Sequence, residues 1–285
     1  MYTLLITAAQ LQTLQAQGTP CAVLDCSFDL MKPELADSFF ASERIAGALP
    51  AHLDKDLSTH DPEQAVNGGR HPLPQRALVA QWLGRLGIHN GMQIVVYDRN
   101  KGHYCGRLWW MLKWLGHDAV AVLDGGLQAW KDAGGALSSG TAAAPVQARF
   151  EVKAPLRQLV LTETVSSALG RPQQTIVDAR AGARYRGEVE PLDPVAGHIP
   201  GALNRPFTDN FTEDGRFKSP ELLQTEWNQV LAGRPANSVV HHCGSGVTAV
   251  PNLIAMELAG YGPTALYAGS WSEWCRSPGL PCAQG

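Results

Sequence analysis

The sequence predicts an α/β fold built twice, with two tandem domains that each hold a mainly parallel sheet flanked by helices. Short apolar runs alternate with stretches of helical periodicity, the pattern recurs 144 to 154 residues later, and a segment without periodicity separates the copies. Hydrophobic residues make up 45% and charged residues 17% of the 285 residues, as in ordinary globular proteins. The net charge of −3 gives no basic excess for nucleic acid or an anionic membrane.

In the first copy, three apolar runs are predicted strands, namely AVLD at 22–25, QIVVYD at 93–98 and AVAVLD at 119–124. The stretches at 76–87 and 106–116 have helical periodicity, and each ends in glycine, a common helix terminator. Because strands alternate with helices, we expect a parallel sheet covered on both faces.

The second copy repeats this order with predicted strands at 176–178, 238–242 and 264–268. A helix is expected to begin after Ser219, which can cap it, with Pro220 in its first turn. Another helix is expected from Val250. In sheets of this kind, ligands bind beyond the carboxyl ends of the strands.

Matching motifs in the same order establish the duplication. AVLDC is answered by TIVDAR, RIAGALP by HIPGALN, IVVYD by VVHHC, and VLDGGLQAW by LYAGSWSEW. The offset is 153 residues from Asp25 to Asp178, but 145 from Asp98 to Cys243. The first copy therefore carries a longer loop, the polar stretch at 54–74, between these motifs.

The stretch at 134–150 is rich in Gly, Ser, Ala and Pro and lacks apolar periodicity, so it indicates a linker. We expect a first domain at 1–137, a linker at 138–155 and a second, catalytic domain at 156–285. The reactive site is expected to draw on both copies, with a cysteine from the second and the longer loop from the first.

The first residues, MYTLLITAAQ, lack the basic start of a secretory signal, and no apolar run approaches the roughly 18 residues of a membrane span. The six cysteines form no CxxC pair and no zinc-site spacing: Cys21, Cys26, Cys105, Cys243, Cys275 and Cys282. We therefore expect a cytoplasmic protein with reduced thiols, without a metal or other cofactor and without a membrane or nucleic-acid partner.

Cys243 lies where a predicted strand ends and a glycine-containing loop leads into a helix. Pro251 is compatible with that helix only in its first turn, where backbone N–H groups have no intrahelical partner. Such free N–H groups favour an anion, and Gly244 and Gly246 allow the backbone to curl around a thiolate. The first copy has Asp98 at the matching position and lacks the glycines, so only the second copy is predicted to carry the reactive thiol.

The chain resembles two-domain rhodaneses, a family of sulfurtransferases, over nearly its full length. GHIPGA at 197–202, CGSGVT at 243–248 and YAGSWSEW at 267–274 carry the resemblance. It implies two rhodanese-like domains, a catalytic cysteine only in the second, and a persulfide on Cys243 that passes its sulfur to a nucleophile.

The resemblance also concerns the donor. A CGSGVT loop implies 3-mercaptopyruvate, whereas cationic loops of the form CRKGVT imply thiosulfate, and a loop neutral at Gly244 and Ser245 gives a dianion little Coulombic help. In that subgroup the loop serine works with a histidine and an acid from the first domain. Ser245 and His71 match these positions, and Asp54 is the candidate acid, with Asp56 as the alternative.

The donor carboxylate calls for arginine, whose planar fork can bind both oxygens. Arg184 matches the arginine that the subgroup uses, whereas Leu192 stands where a second family arginine is expected, so Arg180 or Arg186 would have to compensate. Arg180 is equally compatible with an ion pair to Asp178. The predicted donor-binding loop adds four residues: Gly244, Gly246, Val247 and Thr248.

Three other functions are alternatives to this prediction. A thiosulfate-preferring rhodanese differs only in its donor, and a persulfide-carrying delivery module differs in its partner. A cysteine phosphatase would need arginine after the five loop residues, where this chain has Ala249. The expected partners are a small-molecule sulfur donor and a thiol or cyanide acceptor, with thioredoxin among the candidate acceptors.

Overall fold

The computed structural model describes residues 1–142 and 146–285, and these form two compact units. The first unit consists of residues 1–64, 74–156 and 213–216, and the second of residues 65–73, 157–212 and 217–285. The predicted linker at 138–155 falls partly on residues 143–145, which lie outside the described residues. Residues 65–73, from the longer loop of the first copy, therefore belong to the unit that contains Cys243.

The first unit contains seven strands and five helices among the described residues. They are β1 (Leu5–Ile6), α1 (Ala8–Ala16), β2 (Cys21–Asp25), α2 (Ala36–Ser42), β3 (Arg44–Ile45), β4 (Leu49–Pro50), α3 (Arg76–Arg85), β5 (Gln93–Tyr97), α4 (Gly106–Trp114), β6 (Val120–Leu123), α5 (Gly126–Asp132) and β7 (Leu137–Ser138). Five strands form a parallel sheet in the order β1-β6-β5-β2-β4, and β3 pairs with β7 antiparallel.

The second unit contains five strands and five helices among the described residues. They are β8 (Leu159–Val160), α6 (Thr162–Ser167), β9 (Thr175–Asp178), α7 (Gly182–Tyr185), β10 (Leu203–Asn204), α8 (Pro220–Leu231), β11 (Val239–His242), α9 (Val250–Leu258), β12 (Ala265–Tyr267) and α10 (Ser270–Trp274). All five strands form a parallel sheet in the order β10-β9-β11-β12-β8.

The two sheets have the same connectivity, which confirms the internal repeat. β5 and β11 are the central strands, and each pairs with the strand that ends in the matched aspartate, Asp25 in β2 or Asp178 in β9. Asp98 and Cys243 directly follow these central strands, so both side chains leave the same position of their sheet. The carboxyl-end position predicted for the thiol is therefore confirmed.

Apolar side chains fill both units, as the sequence predicted. α4 is completely buried, and its tryptophans, Trp109, Trp110 and Trp114, belong to the core. α8 begins as expected, because Ser219 accepts a hydrogen bond from the N–H of Leu222 and Pro220 occupies the first turn.

Candidate active site

Cys243 is buried at the carboxyl end of β11, where the start of α10 holds its backbone. Its N–H donates to Oγ of Ser270 (3.1 Å), and its carbonyl accepts from the N–H of Trp271 (3.0 Å). The next carbonyl, that of Gly244, accepts from the N–H of Ser272 (2.9 Å). These bonds fix the position of the thiol against the sheet.

The loop after Cys243 leaves several backbone donors unused. Within the described chain, the N–H groups of Gly244, Ser245, Val247 and Thr248 donate to no protein acceptor. Pro251 is the second residue of α9, in the first turn as predicted. A row of free N–H groups at a helix start attracts an anion.

Gly246 is required by the path of this loop. Its φ of +73° lies in the left-handed region that favours glycine, and an added Cβ would lie 2.3 Å from the carbonyl oxygen of Ala268. Any side chain at this position would push the loop away from β12.

The first unit shows what such a loop binds. The buried carboxylate of Asp98 accepts four backbone N–H groups, those of Asn100 and Gly102 (2.8 Å each) through Oδ1 and those of Tyr104 (2.8 Å) and Cys105 (2.9 Å) through Oδ2. In the first copy, the carboxylate of Asp98 therefore occupies the position where the loop N–H groups would bind an anion. The second copy replaces that carboxylate with Cys243.

Ser245 and His71, the predicted pair, lie together within the second unit. Oγ of Ser245 is 2.7 Å from Nδ1 of His71, and both side chains are buried. Residues 68–71 are anchored to α10, because the N–H of Gly68 donates to Glu273 and the N–H of Arg70 donates to Ser272. The first-copy segment thus places its histidine beside the cysteine loop.

Arg184 extends from α7 towards the loop and is held by two buried acids. It forms a bidentate ion pair with Glu190, with a shortest contact of 2.6 Å, and lies 3.6 Å from Asp193. Burial alone would raise the pKa of Glu190, but Arg184 and nearby backbone N–H groups outweigh burial and lower it. Glu190 therefore stays ionised and orients the guanidinium.

Arg180 is buried against β9 and is committed to other groups. It forms ion pairs with Asp178 (2.6 Å) and Glu190 (3.3 Å), donates to the carbonyl of Gly197, and lies over the ring of Trp271. Burial alone would raise the pKa of Asp178, but His242 and Arg180 hold it below its ordinary value. The geometry favours the ion-pair interpretation of Arg180, whereas Arg186 pairs with exposed Glu188.

Arg70 was missed at the sequence level. A Cβ placed on Gly244 would lie 3.0 Å from Nη2 of Arg70 and 3.5 Å from Nη1 of Arg184. The loop is neutral in sequence, as predicted, but two guanidinium groups face it. The only signal was that Arg70 directly precedes His71.

Two further predicted positions, Val247 and Thr248, lie in the cysteine loop of the second unit. The candidate acids for His71, Asp54 and Asp56, belong to the first unit. Val247 is buried and Thr248 is half-buried between Cys243 and α9. The backbone N–H of Asp54 donates to Nδ1 of His52 (3.1 Å), and Asp56 accepts from the N–H of His52 (2.8 Å). Support of His71 by either acid stays a prediction.

The remaining cysteines are poor nucleophiles. Burial raises the pKa of Cys21 to about 11 and places the pKa values of Cys26 and Cys105 well above the ordinary range. Burial also raises the pKa values of Cys275 and Cys282. Because only the thiolate is strongly nucleophilic, these five side chains are poorly suited to covalent catalysis at neutral pH.

Two features are absent from residues 1–142 and 146–285. No group of three or more His, Cys, Asp or Glu side chains is placed to hold a metal ion. No helix in these ranges has both the length and the apolar character needed to cross a bilayer.

The fold and the cysteine loop indicate a class of protein. A comparison of the sequence with known protein families identifies that class. The family described as "Rhodanese-like domain" matches residues 7–133 and again residues 161–277. The chain therefore belongs to the rhodanese family, with two copies of its domain, as the sequence resemblance implied.

Relatives and a solved structure match nearly the whole chain. A Pseudomonas aeruginosa protein named "Probable 3-mercaptopyruvate sulfurtransferase" is 45% identical over 282 residues, 99% of this chain and 98% of the relative. Thiosulfate sulfurtransferase of Gallus gallus is 32% identical over 261 residues, 90% and 87% of the two chains. The structure of 3-mercaptopyruvate sulfurtransferase from Leishmania major superimposes with a TM-score of 0.83 at 30% identity, covering 98% of this chain and 76% of that one. These matches support a sulfurtransferase enzyme.

Proposed function

We propose that this protein transfers the sulfur of 3-mercaptopyruvate to a thiol or cyanide acceptor and carries it as the sulfane sulfur of a persulfide on Cys243. The observation that carries the proposal is the buried cysteine at the end of β11, in a loop with free N–H groups and beside the Ser245–His71 pair. Relatives that match nearly the whole chain bear sulfurtransferase names, which supports the same chemistry.

In the first half-reaction, the Cys243 thiolate attacks the thiol sulfur of the donor. An Sγ–S bond forms as the donor C–S bond breaks, and the electron pair of the C–S bond leaves on the carbon of the pyruvate enolate. A proton delivered through Ser245 and His71 converts this enolate into pyruvate. The free N–H groups of the loop stabilise the anionic sulfur on Cys243.

In the second half-reaction, the acceptor attacks the outer sulfur and Cys243 leaves as a thiolate. Because the donor product leaves before the acceptor reacts, steady-state lines at varied donor and acceptor concentrations should be parallel. We propose thioredoxin among the physiological thiol acceptors and the cytoplasm as the compartment, since both suit a reduced catalytic thiol.

Arg184 is proposed to bind the donor carboxylate, and Gly244, Gly246, Val247 and Thr248 to form the loop around the transferred sulfur. Arg180 is proposed to help position the cysteine loop through its ion pair with Asp178 at the end of β9. We retain 1–137, 138–155 and 156–285 as the proposed domain division, with Asp54 as the proposed partner of His71.

The donor is tested by measuring kcat/KM for 3-mercaptopyruvate and for thiosulfate with one preparation and one acceptor. We expect the value for mercaptopyruvate to be higher, because its leaving enolate uses the proton from Ser245 and its carboxylate uses Arg184. A value for thiosulfate equal to or above that for mercaptopyruvate would support the thiosulfate-preferring alternative.

A further inference from the structure

The first unit contains a cavity of about 430 Å³ beyond the carboxyl ends of β2 and β4. Asp25 and Pro50, the last residues of these strands, line the cavity, and Phe40 and Ala41 of α2 form part of an apolar wall. Ligands bind at this end of parallel sheets, and the volume lies within the range of small-molecule sites. The cavity is therefore a candidate binding site in the unit that lacks the reactive thiol.

The second unit places an arginine at the matching position. Asp25 and Asp178 end equivalent strands of the two sheets. Each accepts, through Oδ1, the N–H of the residue two positions later, which is Ser27 in the first unit and Arg180 in the second (2.9 Å each). The guanidinium of Arg180 folds back onto the carboxylate, whereas the hydroxyl of Ser27 accepts from the N–H of Arg99 (3.1 Å). The first unit thus keeps the carboxylate but has no guanidinium on it.

The carboxylate of Asp25 is buried without an ion pair. Its Oδ2 accepts from the hydroxyl of Tyr97 (2.9 Å), and no cation of the described chain pairs with it. Burial raises the pKa of Asp25 and outweighs both its hydrogen bonds and the charge of nearby Arg99. The equivalent Asp178 is buried as well, but its cationic partners hold its pKa below the ordinary value. A cationic ligand would supply the compensation that Asp25 lacks.

Other charged groups close to the cavity already have partners or are neutral. Two arginines that contact α2, Arg44 and Arg99, each donate to two main-chain carbonyls. Burial and the charge of Lys55 lower the pKa of His52, which lines the cavity, so this ring is mainly neutral at pH 7. Asp25 therefore sets the charge of the ligand that this cavity prefers.

We propose that this cavity binds a guanidinium group on the carboxylate of Asp25. Two N–H groups of the ligand donate to the two carboxylate oxygens, as those of Arg180 do to Asp178. Each oxygen of Asp25 already accepts one hydrogen bond and has a lone pair for a second. The alkyl part of the ligand packs against Phe40 and Ala51. The inference goes beyond the proposed function, because none of these groups takes part in sulfur transfer.

The test measures binding of butylguanidinium chloride to the whole chain by isothermal titration calorimetry. Butylurea, which has nearly the same shape but no charge, is the control ligand. We expect a Kd below about 5 mM for butylguanidinium and a Kd at least about tenfold higher for butylurea. A Kd for butylguanidinium above that limit, or a smaller ratio, would overturn the proposal.

Two variants test whether the ligand lies on Asp25. Asp25→Asn removes the charge, and Ser27→Arg supplies the guanidinium that the second unit has at this position. Each should raise the Kd about 10- to 100-fold, the typical effect of losing a charged hydrogen bond. Should neither variant fold, Ala41→Trp narrows the cavity from an exposed position of α2 and should raise the Kd at least about tenfold. An unchanged Kd in the variants that fold would contradict the proposal.

Asp37→Asn is the matched control. Asp37 also lines the cavity, but its side chain is exposed and pairs with Lys55 (2.6 Å). We expect this variant to change the Kd less than about threefold. Similar losses for Asp25→Asn and Asp37→Asn would show that surface charge alone attracts the ligand, which would overturn the proposal.

A third variant, Cys243→Ser, separates the cavity from the active site. The Kd of butylguanidinium should be the same in this variant, and a loss of binding would place the ligand at the cysteine loop and contradict the proposal. N-acetylarginine methylamide, used as a second ligand, distinguishes the sources of the guanidinium. Binding at least as tight as that of butylguanidinium supports an arginine side chain of a partner protein, and weaker binding supports a free small molecule.

Discussion

Ser245 and His71 form the short contact through which we expect the leaving enolate to receive its proton. Because general acid catalysis typically contributes about 10²- to 10⁴-fold, Ser245→Ala should lower kcat with 3-mercaptopyruvate by a factor in that range. Turnover of thiosulfate should fall much less, because sulfite leaves without needing a proton. Steady-state kinetics with both donors measures the difference.

The variants His71→Ala and Ser245→Ala together test whether the two residues act as a unit. The double variant should be no slower with mercaptopyruvate than the worse single variant, since each change alone interrupts the same proton path. Effects that multiply would show that the two residues act independently.

His241 gives the protein a defined dependence of stability on pH. Burial lowers the pKa of this side chain from 6.5 to about 3, so it stays neutral in the folded state while it protonates in the unfolded state. The contribution of His241 to the free energy of unfolding is complete above about pH 6.5. It falls as pH drops towards 3, because the unfolded state then binds more protons than the folded state.

Relative to His241→Phe, we expect the folding equilibrium constant of the wild type to fall up to about tenfold per pH unit between pH 6 and 4. Urea unfolding of both proteins at several pH values measures this slope. Parallel stability curves for the two proteins would contradict the assignment of a neutral, buried histidine.

At the level of elements, the loops that follow β5 and β11 occupy matching positions in the two sheets, but different groups face their backbone N–H groups. Asp98 occupies the first loop with a carboxylate that accepts four N–H groups, whereas the second loop keeps free N–H groups around Cys243. Asp98→Ala leaves four backbone donors without a partner, and two of them, those of Gly102 and Cys105, are buried. We expect it to lower the free energy of unfolding by about 3–5 kcal/mol.

Asp29→Ala is the control for that measurement. Asp29 accepts one N–H, that of Met31 (2.9 Å), at a partly exposed turn, so its loss should cost less than about 1 kcal/mol. Chemical denaturation of both variants supplies the comparison. Similar losses for Asp29→Ala and Asp98→Ala would mean that the buried carboxylate does not hold its loop together.

Elements with strong local signals could be predicted from the sequence. The start of α8 at Ser219–Pro220 and the first-turn position of Pro251 follow from which residues can cap or begin a helix. The contacts of Arg70 could not be predicted, because they depend on an acid 123 residues away, Asp193. Local sequence patterns also do not predict that the carboxylate of Asp98 accepts hydrogen bonds from four backbone N–H groups.

For the whole molecule, the duplicated motifs correctly predicted two parallel sheets of one topology. The placement of residues 65–73 was harder to predict, because apolar periodicity indicates which residues are buried but not which unit a polar loop packs against. That segment gives the second unit His71 and Arg70. The sequence predicted that a first-copy loop contributes to the site, and in the structure residues 65–73 of that loop pack within the unit of Cys243.

The most direct test of the central claim is peptide mass spectrometry after the protein has reacted with 3-mercaptopyruvate without an acceptor. A gain of about 32 Da on the peptide containing Cys243, with one pyruvate released per protein, is the predicted result. Cys243→Ser should release no pyruvate, and Cys282→Ser, the control at an exposed cysteine, should behave as the wild type. Pyruvate release with Cys243 unmodified, or with the added sulfur on another cysteine, would contradict transfer through a Cys243 persulfide.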